Sequence, residues 1–210
     1  KPLNESGSAG SILGEAARGA AGDEGPMRDH LVRRAMDGDH EAFASLAADS
    51  VDVCYRLASR ILRDPHRAQD ATQQALLLAW RDLPRLRDPE RFDAWLYRLV
   101  VNTCYAEARS ERRWVARVRA LPTDTATEPD VARSVADRDE LEGAFRKLTP
   151  EQRAVVVLHH HLGYPVTEIA ATLGIPDGTA RSRLHYAVRQ LRAALDQGGR
   201  SVVTSEERTA

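Results

Sequence analysis

An all-α fold in two small helical domains joined by a flexible acidic linker is what this sequence predicts, on three observations. Val, Ile, Thr, Tyr and Phe never alternate with polar residues over a strand's length, and aromatics make up only 5% of the chain, which argues against a sandwich or barrel. Apolar residues recur instead at three- and four-residue spacings, as in Leu31 and Ala35, then Ala42, Phe43 and Leu46, then Val53, Leu57 and Ile61. Between Leu121 and Asp139 that pattern stops, and the composition turns to Pro, Thr, Asp, Glu and Ala, as expected of a linker.

The elements follow in order. Residues 1–26 are rich in Gly, Ala, Ser and Glu with little to bury, so they are expected to be a disordered extension or tag remnant. The first domain, 27–113, reads as helical throughout. Asp64-Pro65 and Asp88-Pro89 each set a capping carboxylate before a proline whose fixed φ suits a first helical turn. The helix after Asp64 should reach about Leu83, and the one after Asp88 about Arg113, carrying Phe92, Trp95, Leu96, Leu99 and Val100 toward a core. The linker is assigned to 114–140; a basic run, Arg109, Arg112, Arg113, Arg117 and Arg119, precedes its acidic stretch from Leu121 to Asp139, whose acids are Asp124, Glu128, Asp130, Asp137 and Asp139. In the second domain, 141–196, Thr149-Pro150-Glu151-Gln152 is a capping box whose helix should stop near Gly163. A short helix runs from Val166 to Leu173 and ends at Gly174, and a longer one begins at Thr179 with Ala180, Leu184, Ala187, Val188 and Leu191 as its buried stripe. From Gln197 a polar, disordered tail is expected.

Composition limits the function. A chain of 210 residues holds one ordinary domain or two small ones and excludes a large multidomain enzyme. No Gly-rich phosphate loop, nucleophile elbow or paired-carboxylate pattern is present, so an enzyme is not expected, nor is a cofactor. No run approaches the roughly 18 apolar residues that span a bilayer, so no membrane association and a cytoplasmic location are expected. Cys54 and Cys104 fall inside helical patterns and read as buried small hydrophobes. His159, His160 and His161 project about 100° apart on a helix and cannot all face one ion, so no metal is expected.

The function-bearing pattern lies near the C-terminus. Two helices separated by a tight turn, with Glu168-Ile169-Ala170-Ala171 in the first and Gly174 at its end, form a helix-turn-helix pattern. Ala170 and Ala171 are small enough for the helices to cross closely. From Gly178 to Leu195 every charged residue is an arginine (Arg181, Arg183, Arg189, Arg192), so the exposed face is positive, as a helix among phosphates must be.

These residues carry a resemblance. Glu168-Ile169-Ala170 followed by Gly178-Thr179-Ala180-Arg181-Ser182-Arg183-Leu184-His185 resembles the fourth conserved region of the extracytoplasmic-function (ECF) sigma factors of bacterial RNA polymerase. Ala68-Gln69-Asp70 through Gln73, with Ala79-Trp80-Arg81, resembles the polymerase-binding helix of the second region. Trp95-Leu96-Tyr97-Arg98-Leu99 with Asn102 is similar to the segment that reads the minus-ten element. The resemblance implies an alternative sigma factor that binds core RNA polymerase through clamp and flap, recognises promoter DNA, opens it and starts transcription. By position it implies that Asp70, Gln73 and Gln74 face the clamp coiled coil, and that Leu86, Arg98, Leu99 and Asn102 handle minus-ten DNA around a flipped base. It assigns minus-thirty-five contacts to Thr179, Arg181, Ser182, Arg183, His185, Tyr186, Arg189 and Arg192, with Tyr186 where the family often has another arginine. Pro165 stands where a serine cap is frequent, so that helix must be capped otherwise. Regulation is expected from a separate anti-sigma factor, and the linker resembles a connector threading toward the RNA exit path.

Two questions stay open on the residues. Trp95 reads either as a stacking platform or, as favoured for a Trp on an apolar helical face, as core. The alternative function is a stand-alone helix-turn-helix regulator with a sensing domain in front, which would bind its operator without polymerase.

Overall fold

A computed structural model describes residues 25–119 and 136–206, and every regular element in them is helical. The order is α1 (Gly25–Met36), α2 (His40–Leu62), α3 (Pro65–Asp82), two 3₁₀ turns (Leu83–Arg85 and Pro89–Arg91), α4 (Phe92–Arg119), α5 (Ala136–Lys147), α6 (Pro150–His160), α7 (Val166–Leu173) and α8 (Asp177–Glu206). The N-terminal extension up to residue 24 and the linker residues 120–135 lie outside the described residues.

Helix starts are set by short-range chemistry. The Asp64 carboxylate accepts from the N–H groups of His66 (3.0 Å) and Arg67 (3.1 Å), and Pro65 follows it at the first helical position. Asp88 also caps, but onto a 3₁₀ turn through Glu90 N–H at 3.1 Å, so the α-helix proper starts at Phe92. Asp39, which sequence reading passed over, caps α2 through Glu41 and Ala42 and is clasped by Arg34 at 2.6 Å. The Thr149–Gln152 capping box closes in both directions, at 3.3 and 2.9 Å. Pro165 heads α7 with no side-chain cap at all, so the substitute cap expected there is not found.

Boundaries move in five places. α4 runs to Arg119 and α5 starts at Ala136, which brings both ends of the expected linker into helices. α6 stops at His160, three residues before Gly163, and α8 begins at Asp177. The expected C-terminal tail does not begin at Gln197, because α8 continues to Glu206.

α1–α4 pack around Val32, Leu46, Leu57, Ile61, Leu96 and Val100. α3 buries only small side chains (Ala68, Ala71, Thr72, Ala75, Ala79), which lets it lie close against α2 and α4. The Thr103 hydroxyl on α4 donates to the Ala71 carbonyl at 3.1 Å, and Arg67 pairs with Glu111, so the two helices are also stitched by polar groups. Arg28 pins α1 to the start of α4, donating to Asp93 at 2.7 Å and Ser50 at 2.9 Å.

The second half does not stand apart. Ala154, Val155, Val157 and Leu158 of α6 and Ile169 of α7 belong to the same core as α1–α4. A smaller core of Leu148, Val156 and Ala187 joins α5, α6 and α8. α6 is therefore buried on both sides.

Candidate nucleic-acid interface

On α3 the side chains of Asp70, Gln73 and Gln74 are all solvent-exposed, on the face opposite the small buried stripe. One turn further along that face stands Leu77, 64% exposed. An exposed leucine among polar side chains is the kind of surface feature that a partner can cover. Periodicity counts an apolar residue as core, and only its phase, in line with Asp70, Gln73 and Gln74, marks it otherwise.

The expected minus-ten residues fall in two groups. Leu86 closes the first 3₁₀ turn, its N–H donating to the Leu83 carbonyl at 2.9 Å. With Asp88, Trp95 and Arg98 it lines a cleft of about 240 Å³ whose far wall is Ala171 and Thr172 of α7. Leu99 and Asn102 are not in that wall: Leu99 packs half-buried on the core, and Asn102 is exposed one turn beyond Arg98. Trp95 serves both readings, half-buried beside Phe92 (ring centroids 6.0 Å) and also a cleft wall. Along α4, Arg98, Asn102, Tyr105, Arg109 and Arg112 share one face, a polar and cationic stripe about 21 Å long at 1.5 Å per residue. The exposed basic end also carries Trp114, 63% exposed, a second aromatic that sequence reading missed.

The helix-turn-helix forms with the expected turn. Gly174 takes φ 65°, a left-handed conformation natural to glycine, and its N–H reaches the Ala170 and Ala171 carbonyls. Ala170 is buried, but Ala171 is exposed and faces the cleft, so only one of the two small residues serves helix crossing. On α8, Arg181, Ser182, His185, Tyr186, Arg189 and Arg192 are exposed and Thr179 is half-buried. The Arg189 guanidinium lies over the Tyr186 ring at 6.0 Å, and His185 packs edge-on to it at 5.8 Å.

Arg183 is set apart from these. It is half-buried and close to Tyr105 on α4, where its cation opposes the upward push that burial gives the Tyr105 phenol. Arg183 of the minus-thirty-five set thus lies beside the α4 helix that carries Arg98 and Asn102.

The three histidines have structural surroundings. His159 Nδ1 lies 2.9 Å from the Tyr164 carbonyl, an acceptor, so that nitrogen carries the proton. Burial holds His160 and His161 below the ordinary histidine range, with further lowering from His159 on the first and from Arg60 and Arg56 on the second. Cys54 and Cys104 are fully buried, and burial pushes both thiols up to about 12. Among the described residues no helix is long and apolar enough to cross a membrane.

Comparison with known proteins now bears on these surfaces. Residues 47–114 match the Sigma-70 region 2 family, and residues 138–191 match the Sigma-70 region 4 family. The ECF RNA polymerase sigma factor SigL of Mycobacterium tuberculosis is 36% identical over 150 residues, covering 70% of this chain and 85% of the relative. The RNA polymerase sigma-E factor of Streptomyces coelicolor is 35% identical over 147 residues, covering 69% and 80%. Among solved structures, CnrH in complex with the cytosolic domain of CnrY aligns with a TM-score of 0.58 at 26% identity, over 81% of this chain and 97% of that one. The fold is shared with the sigma factor RpoE, bound to the anti-sigma factor NepR from Bartonella quintana, at a TM-score of 0.59 and 23% identity, over 73% and 96%. With both regions matched in order, and a relative more than one-third identical over most of its own length, this chain belongs to the ECF sigma factors of bacterial RNA polymerase.

Proposed function

We propose that this chain is an alternative sigma factor that docks on core RNA polymerase through the α3 face and hands promoter DNA to α4 and α8. The observation that carries the reading is the coexistence, in region order, of an anchor-bearing helix face with no partner and two helices whose outer faces are polar and cationic. Asp70, Gln73, Gln74 and Leu77 supply the polymerase contact. Arg98 and Asn102 meet the separated strand at minus ten, with Leu86 as an apolar wall beside Arg98; an amide reads a base edge while aliphatic carbon covers its face. On α8, Arg181, Ser182 and His185 approach base edges at minus thirty-five, while Arg189 and Arg192 neutralise phosphates. Regulation by a separate sequestering protein fits the likeness to RpoE, whose structure holds an anti-sigma factor.

Permanganate footprinting with core polymerase tests the reading. Reactive thymines at minus ten should appear only with core and this chain together. An operator-like footprint by the chain alone would instead mark a stand-alone regulator.

A further inference from the structure

A cavity of about 470 Å³ lies between α2 and α5, and none of the residues lining it is assigned above to polymerase or to promoter DNA. Arg56 and Arg60 stand one helical turn apart on α2, and Arg63 follows at its C-cap. Tyr55 and Ser59 form a second row beside them, and α5 contributes Glu142 and Phe145. The charges here do not cancel. The Arg63 guanidinium is already engaged, pairing with the Glu142 carboxylate at 2.6 Å and donating to the Glu142 carbonyl at 3.0 Å. The Asp64 carboxylate caps α3 and faces Arg67 at 3.5 Å. Arg56 and Arg60 are exposed and have no ion-pair partner among the described residues, which leaves two guanidinium groups for an anion.

Two further features favour an organic phosphate over a bare ion. The Ser59 hydroxyl is buried with no hydrogen-bond partner among the described residues, an unmet polar group in the cavity lining. Tyr55, 39% exposed, and half-buried Phe145 add aromatic surface to the same wall set. The geometry points to a site for a nucleoside diphosphate, its phosphates held by Arg56 and Arg60, its base laid on the Tyr55 ring, and the Ser59 hydroxyl gaining a partner. Guanidinium groups match phosphate oxygens with paired donors, and bases of any identity stack on an aromatic ring. Arg56 and Arg60 are about 6 Å apart along the helix axis, a separation that lets the two forks flank adjacent phosphates. The volume falls in the range that encloses a ligand of this size. A lone carboxylate or inorganic phosphate would use the cations and leave the aromatic side empty. Burial, then Arg60 and Arg56, hold the His161 imidazole low, so the same uncancelled positive field reaches the end of α6. The site goes beyond the sigma-factor reading and does not rest on it.

Calorimetric titration of the full chain with ADP, GDP and pyrophosphate tests the site. Both nucleotides should bind one to one, and pyrophosphate more weakly. Arg56→Ala with Arg60→Ala should weaken ADP roughly ten-fold or more while circular dichroism stays unchanged, since both side chains are exposed. Tyr55→Ala should weaken ADP by about five-fold and leave pyrophosphate as it was, because only the nucleotide has a base to stack. Arg33→Ala removes an exposed cation of α1 outside the cavity and should leave ADP binding as in the parent. Absence of saturable binding by either nucleotide overturns the proposal, as does an Arg33→Ala loss equal to that of the double variant, which would mark general attraction to a basic surface. Pyrophosphate binding as tightly as ADP, with Tyr55→Ala silent, would assign the cavity to inorganic phosphate and overturn the nucleotide. Displacement of ADP by an equal concentration of a short polyglutamate peptide would assign it to an acidic protein segment and overturn it as well.

Discussion

Leu77 and Tyr186 are large side chains left in water, 64% and 52% exposed, and each stands on a face assigned to a partner. If Leu77 anchors polymerase, Leu77→Ala should weaken the core complex by about 1.5–3 kcal/mol, ten-fold or more, while helical content is unchanged. Competition against a labelled sigma factor for core measures it. Tyr186→Arg adds a cation on the phosphate side of α8 and should steepen the log–log salt dependence of minus-thirty-five binding by about 0.9, equally on matched and mismatched DNA. Anisotropy across a salt series reads this slope, and an unaltered slope would take Tyr186 away from DNA. Asn102→Ala should impair strand opening more than initial duplex binding, and a pre-melted template should restore activity. Equal loss on both templates would make Asn102 structural. The exposed placement of Asp70, Arg181 and Asn102 follows from helical spacing, which is local information. Leu77 and Trp114 were not, since composition cannot say whether an apolar side chain has anything to cover it.

At the scale of elements, local chemistry was the readable part. Asp64-Pro65, the Thr149 capping box and Gly174 are complete within four or five residues, and each forms as its spacing requires. Thr149→Ala should destabilise the fold by about 1 kcal/mol in urea unfolding, the cost of one lost cap. Gly174→Ala has free space around the new methyl group, so its cost is the left-handed backbone alone, about 1–2 kcal/mol. Helix ends governed by tertiary contacts were less readable. α4 passes Arg113 because the stretch to Arg119 holds neither Pro nor Gly, whereas α8 runs on past Gln197 through Gly198 and Gly199, residues that weaken a helix. A clue to the docked arrangement was present in Ala154–Leu158, five successive apolar residues on one helix, all buried. Such a helix has no face for water and must be sandwiched, which a reading limited to one stripe per helix overlooks.

For the whole molecule, region order, acidic linker and one-signed recognition helix point to two halves with separate tasks, while the packing of the halves depends on contacts between residues far apart in sequence, such as Arg153 with Ile61, 92 positions away. Long-range contacts of this kind leave no spacing signature. The two halves together make one claim, that this chain turns core polymerase into a promoter-specific enzyme. Run-off transcription with purified core polymerase on genomic fragments addresses it most directly. Discrete transcripts should appear only when the chain is added, and on those promoters Asn102→Ala should remove them from duplex templates but not from templates melted at minus ten. Transcripts indifferent to the chain, or none from any fragment, would contradict the account.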